Sequence, residues 1–252
     1  MHTTTESISL AVIGGTGFYN VQEMEEVESY VIETSYGVPS SPIHVGLCNG
    51  VRIAFLARHG QKHSITPCRI NYRANIAALH TLGVTRILAI NAVGGITEPF
   101  APQTLACPDQ IIDYTWGRES SFCVSPNTPV EHIDFSQPFS AQLRSKLLAA
   151  AQSCGLTVQP HGCIGVTQGP RLETCAEIAR LRRDGCTLVG MTSMPEAALA
   201  REKKMLYASL AIVANWAAGC GGIEEISEDD IHAQLQEATR GLYPLLVELA
   251  RS

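Results

Sequence analysis

The feature that most constrains this chain is a recurring unit in which a short apolar run stops at glycine or a small polar cluster. Ser9–Ile13 runs into Gly14-Gly15-Thr16-Gly17, and Val51–Ala57 runs into Arg58-His59-Gly60. Arg86–Ala92 stops at Gly94-Gly95, Thr157–Val166 at Gln168-Gly169-Pro170, Cys186–Val189 at Gly190, and Met205–Ala214 at Asn215. Such runs read as buried strands. Tyr30–Ile32 and Gln110–Tyr114 are further strands, and Asn49-Gly50 between Ile43–Cys48 and Val51–Ala57 is a hairpin signal. Tyr72–Leu82, Ala141–Cys154, Ala176–Arg183, Ala197–Glu202 and Ser227–Arg251 read as helices. Gly83 and Gly155 close the first two, Pro195 stands near the first turn of the fourth, and Ser227 is an N-cap for the last. Residues 115–138 lack hydrophobic periodicity and read as a long functional or interface loop. No linker or repeat divides the chain. The expectation is one α/β domain over residues 1–252, a mixed central β-sheet flanked by helices.

Composition narrows the function classes. With 45% hydrophobic residues the chain can bury a substantial core, yet no apolar run reaches membrane-spanning length. A formal charge of −6 offers no basic field for nucleic acid. The first seven residues lack the basic-then-apolar pattern of a signal peptide. The nine cysteines, an odd number without a CxxC pair, suit a reducing compartment. A soluble cytoplasmic protein is expected. There is no Gly-x-Ser-x-Gly elbow, no HExxH and no metal spacing among the eight histidines, so neither a serine hydrolase nor a metal site is expected.

Chemistry is expected at the carboxyl ends of the strands, where open α/β sheets bind ligands. Gly14-Gly15-Thr16-Gly17 is neither GxGxxG nor a P-loop, but its backbone N–H groups and the Thr16 hydroxyl can hold an anion. Arg58 is suited to bidentate phosphate binding, with His59 as a second donor. In Asn91-Ala92-Val93-Gly94-Gly95 the glycines let backbone approach a ligand closely. Glu173, aimed by the Gly169-Pro170 turn, and Glu196 are the acidic candidates. Asn215 can offer an amide to a ligand or cap a turn. Singly, each reads as well as a turn glycine, a surface arginine or a solvated carboxylate. Their recurrence at successive strand ends favours a shared site.

In combination, Gly14–Gly17, Ala57–Gly60, Asn91–Gly95, Gly169–Thr174 and Gly190–Glu196 resemble the trimeric purine nucleoside phosphorylase and methylthioadenosine phosphorylase family, from Ile13 to the C-terminal helix. The resemblance implies cleavage of a purine nucleoside by inorganic phosphate to free base and ribose 1-phosphate, with no cofactor. It implies phosphate contacts from Thr16, Arg58, His59, Asn91, Ala92 and Thr192. Met191 would pack on the ribose, and Leu172, Glu173, Asn215, Trp216 and Ala217 would line the base. Glu173 and Asn215 would stabilise the departing purine. His132 would reach the 5′ end of the substrate in a neighbouring subunit, which implies a homotrimer with shared sites.

The methylthioadenosine branch carries Ser at the position of Glu173 and Asp-x-Asp at Asn215 and Ala217. A 6-oxopurine presents a donor at N1 and an acceptor at O6, the reverse of adenine. Ionised Glu173 can accept from N1–H, and Asn215 can donate to O6 and accept from a protonated N7. A misplaced buried acceptor costs about 1–3 kcal/mol, so a 6-oxopurine is expected. At the 5′ end the ungapped match places Glu228 where general inosine enzymes have His and the methylthio branch has an apolar residue. A shift of a few residues brings Ile223 or Ile226 there. The Ala92 and Met191 regions, with His132, favour a methylthio group, so 5′-methylthioinosine is the expected substrate. The alternatives are a general inosine/guanosine phosphorylase, a methylthioadenosine phosphorylase, a water-using nucleosidase and a non-catalytic nucleotide-binding protein.

Overall fold

The computed structural model describes residues 7–15, 24–123, 130–222, 227–239 and 241–252. Thr16, Ile223, Ile226 and the side chain of Glu228 lie outside that description. In chain order the strands are β1 (Leu10–Gly14), β2 (Glu25–Tyr30), β3 (Ile43–Cys48), β4 (Val51–Ala57), β5 (Arg86–Gly95), β6 (Leu105–Ala106), β7 (Gln110–Asp113), β8 (Val158–Gln159), β9 (Cys163–Val166), β10 (Leu188–Gly190) and β11 (Leu206–Trp216). The helices are α1 (Tyr72–Thr81), α2 (Ala141–Ser153), α3 (Cys175–Arg183), α4 (Ser193–Glu202), α5 (Glu228–Thr239) and α6 (Leu242–Arg251).

The strands form one mixed sheet in the order β2-β3-β4-β1-β5-β10-β9-β7, with β11 joined to β5 and carrying β6 and β8. β4, β1, β5 and β11 run parallel, and β10 meets β5 antiparallel. Alternation along the central strands divides the core into two layers. Ala11 and Ile13 of β1 pack with Ile76 and Leu79 of α1 and Leu199 and Ala200 of α4. Leu10 and Val12 face the other way, onto Leu143 and Leu147 of α2 and Leu245 and Leu249 of α6. Each of these isoleucine, leucine and valine side chains contributes roughly 1.5–3 kcal/mol on full burial.

Four sequence expectations change. β5 does not stop at Gly94-Gly95 but runs through both. A Cβ at residue 95 would fall inside the Phe100 carbonyl oxygen, so this glycine serves packing rather than a ligand. The run 157–166 divides into β8 and β9, separated at His161-Gly162. Tyr30–Ile32 is the end of a strand rather than its body, since β2 closes at Tyr30. The C-terminal helix is two helices, because Gly241 adopts φ 94°, a left-handed conformation that no helix interior accepts. The Asn49-Gly50 hairpin forms as read, with both residues at positive φ. The described part of 115–138 carries no helix or strand. No described helix is long and apolar enough to cross a membrane.

Candidate active site

A cavity of about 390 Å³ opens where the ends of six strands converge. Gly15 follows β1, Arg58 and His59 follow β4, and Ala92, Val93 and Gly94 belong to β5. Pro170, Leu172 and Glu173 follow β9, Gly190, Met191 and Thr192 close β10, and Ala214, Asn215 and Ala217 come from the end of β11. Because β9 and β10 run against β5, these ends do not share one edge. The two halves of the sheet point at each other, and their ends meet near Gly94, which pairs with Val189.

On the anion side the arrangement differs from a bidentate arginine clamp. Arg58 is 1% exposed, and its Nε and Nη2 donate to the two carboxylate oxygens of Glu196 at 2.8 and 2.9 Å. Nη1 donates to the Ile90 carbonyl at 3.2 Å and lies 3.0 Å from where a Cβ on Gly15 would be. Gly15 therefore exposes the Nη1 edge, and only that edge is available to an anion. Burial alone would weaken the guanidinium's hold on its proton, but Glu196 outweighs burial and raises the Arg58 pKa. Glu196 is fully buried and also accepts from the Tyr207 hydroxyl at 2.8 Å. It is a structural partner of Arg58 and not a ligand group of the cavity.

Asn91 is likewise withdrawn from the cavity. Its amide nitrogen donates to Thr192 Oγ1 at 2.9 Å, and its Oδ1 accepts from the buried Ser209 hydroxyl at 2.8 Å. A Thr192 oxygen that already accepts from Asn91 turns its own hydrogen elsewhere, and Thr192 lines the cavity. His59 Nδ1 stands 2.8 Å from the Ile65 carbonyl, which can only accept, so Nδ1 carries the proton. Burial, and then the charge of Arg58, push its pKa down to about 4, so it is neutral at pH 7.

On the opposite side Glu173 Oε1 accepts from the Thr167 hydroxyl at 2.6 Å. Burial raises its pKa, and the Thr167 bond partly offsets that. Asn215 enters the cavity through a break in register between Val213 and Asn215 on β11, where a bulge re-aims the side chain. One amide N–H of Asn215 is held by the Trp216 carbonyl at 2.7 Å. Flipping the amide would set two oxygens against each other, so its donor and acceptor ends are fixed. Trp216 itself is not on the cavity surface but packs behind it against Gly221.

Of the sequence-derived candidates, Arg58, His59, Ala92, Leu172, Glu173, Met191, Thr192, Asn215 and Ala217 come together. Asn91 and Trp216 sit one layer behind. His132 is exposed and does not line the cavity of its own chain. Sequence reading missed Ile231 of α5, the segment His63–Pro67, and the supporting Thr167, Ser209 and Tyr207. Ile231 lies in the first turn of α5, three positions after Glu228 in sequence. Among the described residues no group of three or more His, Cys, Asp or Glu is placed to hold a metal ion.

Comparison with known proteins agrees with this architecture. A family model described as the phosphorylase superfamily matches residues 9–251. The probable S-methyl-5'-thioinosine phosphorylase of Xanthomonas campestris pv. campestris is 58% identical, over 98% of this chain and 99% of its own. The 6-oxopurine nucleoside phosphorylase of Pyrococcus furiosus is 41% identical, over 94% and 90%. The solved methylthioadenosine phosphorylase of Schistosoma mansoni in complex with adenine superposes with a TM-score of 0.92 at 31% identity, covering 97% of this chain and 91% of that one. A family match over nearly the whole chain, on a fold in which the ends of six strands close around the cavity, makes this protein a member of the phosphorylase superfamily.

Proposed function

We propose that the protein catalyses phosphorolysis of 5′-methylthioinosine, giving hypoxanthine and 5-methylthioribose 1-phosphate. Glu173 carries the choice of base. Its carboxylate lines the cavity beside an Asn215 amide that cannot flip, a pair that complements the N1 donor and O6 acceptor of a 6-oxopurine. The names of the Xanthomonas and Pyrococcus relatives support the same class. Ile231 supports an apolar 5′ substituent, since α5 offers the cavity an isoleucine where a 5′-hydroxyl would call for a polar partner.

The reaction needs no covalent enzyme intermediate. Phosphate is held by the Arg58 Nη1 edge, the Thr192 hydroxyl, Thr16 and the backbone after β1, with His59 beside it. As the bond from ribose C1′ to purine N9 breaks, its electron pair leaves with the base and positive charge develops on the sugar. A phosphate oxygen then bonds C1′. Donors fixed before the reaction stabilise this charge separation without reorganising. Asn215 Oδ1 accepts from a protonated N7, and Met191 packs on the ribose. The active form is a cytoplasmic homotrimer in which His132 completes a neighbour's site. Trp116 and Val130, both large exposed apolar residues, suit burial between subunits.

The test is base release from methylthioinosine, inosine, guanosine and methylthioadenosine, each with and without phosphate. Phosphate-dependent release, fastest from methylthioinosine, is expected. Release without phosphate would overturn phosphorolysis. Inosine as the best substrate would overturn the role of Ile231, and methylthioadenosine that of Glu173.

A further inference from the structure

Arg118, in the loop that follows β7, is half-buried and, among the described residues, hydrogen-bonded to uncharged groups. Its Nη1 donates to the carbonyls of Met191 at 2.8 Å and Met194 at 2.6 Å, and reaches the Tyr72 hydroxyl at 3.3 Å. Its Nη2 donates to the carbonyls of Gln168 at 2.8 Å and Thr167 at 3.2 Å, and Nε to Gln168 Oε1 at 3.2 Å. The guanidinium also lies over the Tyr72 ring, 5.6 Å from its centroid. Four backbone carbonyls, two just after β9 and two from the β10–α4 connection, thus converge on one side chain.

Those two segments carry the two halves of the site. Thr167 and Gln168 close β9 and lead to Glu173, whose carboxylate the Thr167 hydroxyl holds. Met191 follows β10 and Met194 lies in the first turn of α4, on either side of Thr192 and Ser193. Without a cation, carbonyl dipoles aimed at one point repel. A planar fork of five donors satisfies them together, whereas an ammonium with three donors on a flexible stem does not. We propose that Arg118 is a positioning residue that locks the base-recognition segment to the sugar- and phosphate-binding segment at one separation. What is positioned rests on the phosphorolysis reading; the clamp itself does not.

The test uses full-length Arg118→Lys and Arg118→Ala proteins. Amide hydrogen exchange without ligand should speed up in residues 165–174 and 188–195 together, leaving β1 and α6 at parental rates. Unchanged exchange, acceleration in one segment only, or acceleration throughout the chain would each overturn the clamp. In turnover of methylthioinosine with phosphate, Arg118→Lys should lose roughly ten- to a hundredfold in kcat, with smaller changes in KM. Guanidinium chloride, but not equimolar sodium chloride, should restore part of the lost kcat to Arg118→Ala. A lysine variant with kcat within twofold of the parent would overturn the proposal. If Arg118→Ala does not fold, the lysine variant decides. A parent that does not turn over the nucleoside would remove the phosphorolysis reading, and hydrogen exchange would still judge the clamp.

Discussion

At the residue scale, Glu173 and His59 show how the fold sets protonation on the two sides of the cavity. Glu173 must be ionised to accept from N1–H, and burial raises its pKa above the ordinary glutamate value of 4.5. Activity on a 6-oxopurine should therefore fall in acid through a limb lying above that value. A Glu173→Ser variant should lose that limb, together with roughly ten- to a hundredfold of its preference for 6-oxo over 6-amino substrates. Retained selectivity would remove Glu173 from the account. His59 is the converse case. Its folded pKa of about 4 lies below its ordinary value of 6.5, so the unfolded chain binds the proton more readily. Stability is then full above pH 6.5 and declines as pH falls toward 4, by about 3 kcal/mol in all for this group. Urea unfolding at pH 7 and pH 4.5 checks this, with His59→Gln expected to show a shallower acid loss than the parent.

At the element scale, the strands and their ends were legible because buried strands are apolar runs and the turns that stop them need glycine. Nine of the expected site residues come together for that reason: a residue at a strand end has little freedom in where it can go. The direction of β10 was not legible, since three residues carry no record of whether their neighbour runs with or against them. Nor was Ile231, because a helix start at Ser227 does not by itself say which residue of α5 lines a cavity built from distant strand ends. Arg118 left no trace in the sequence, since its partners are mostly backbone carbonyls, which every residue has. Gly95 stands out in the sequence, but what it avoids, the Phe100 carbonyl, is set by the fold and not by a ligand. Because the atom it avoids is backbone, the neighbour cannot rotate away. Gly95→Ala should thus destabilise the protein by about 3 kcal/mol or more, read as a lowered denaturation midpoint. A midpoint unchanged from the parent would show that the β5–Phe100 approach relaxes at no cost.

At the scale of the whole molecule, the cavity is assembled from the full length of the chain, so local binding reports on global folding. The proposed trimer extends that dependence beyond one chain. Sedimentation should give a particle of about three times the 27.1 kDa chain mass. His132→Ala should raise KM for the nucleoside while leaving the particle size unchanged, whereas a monomer with full activity would rule out shared sites. Arg58 and Glu196, 138 positions apart, form the deepest of these long connections. Breaking such a buried pair from one side costs about 3–5 kcal/mol. The pairing also has a consequence for the proposed ligand. A guanidinium already neutralised by its own carboxylate exerts little long-range pull on an approaching anion, so in the proposed reaction phosphate would be caught by short directional hydrogen bonds rather than drawn in by a field. Ionic strength should then matter little: KM for phosphate is expected to move by no more than about twofold between low salt and 0.5 M potassium chloride.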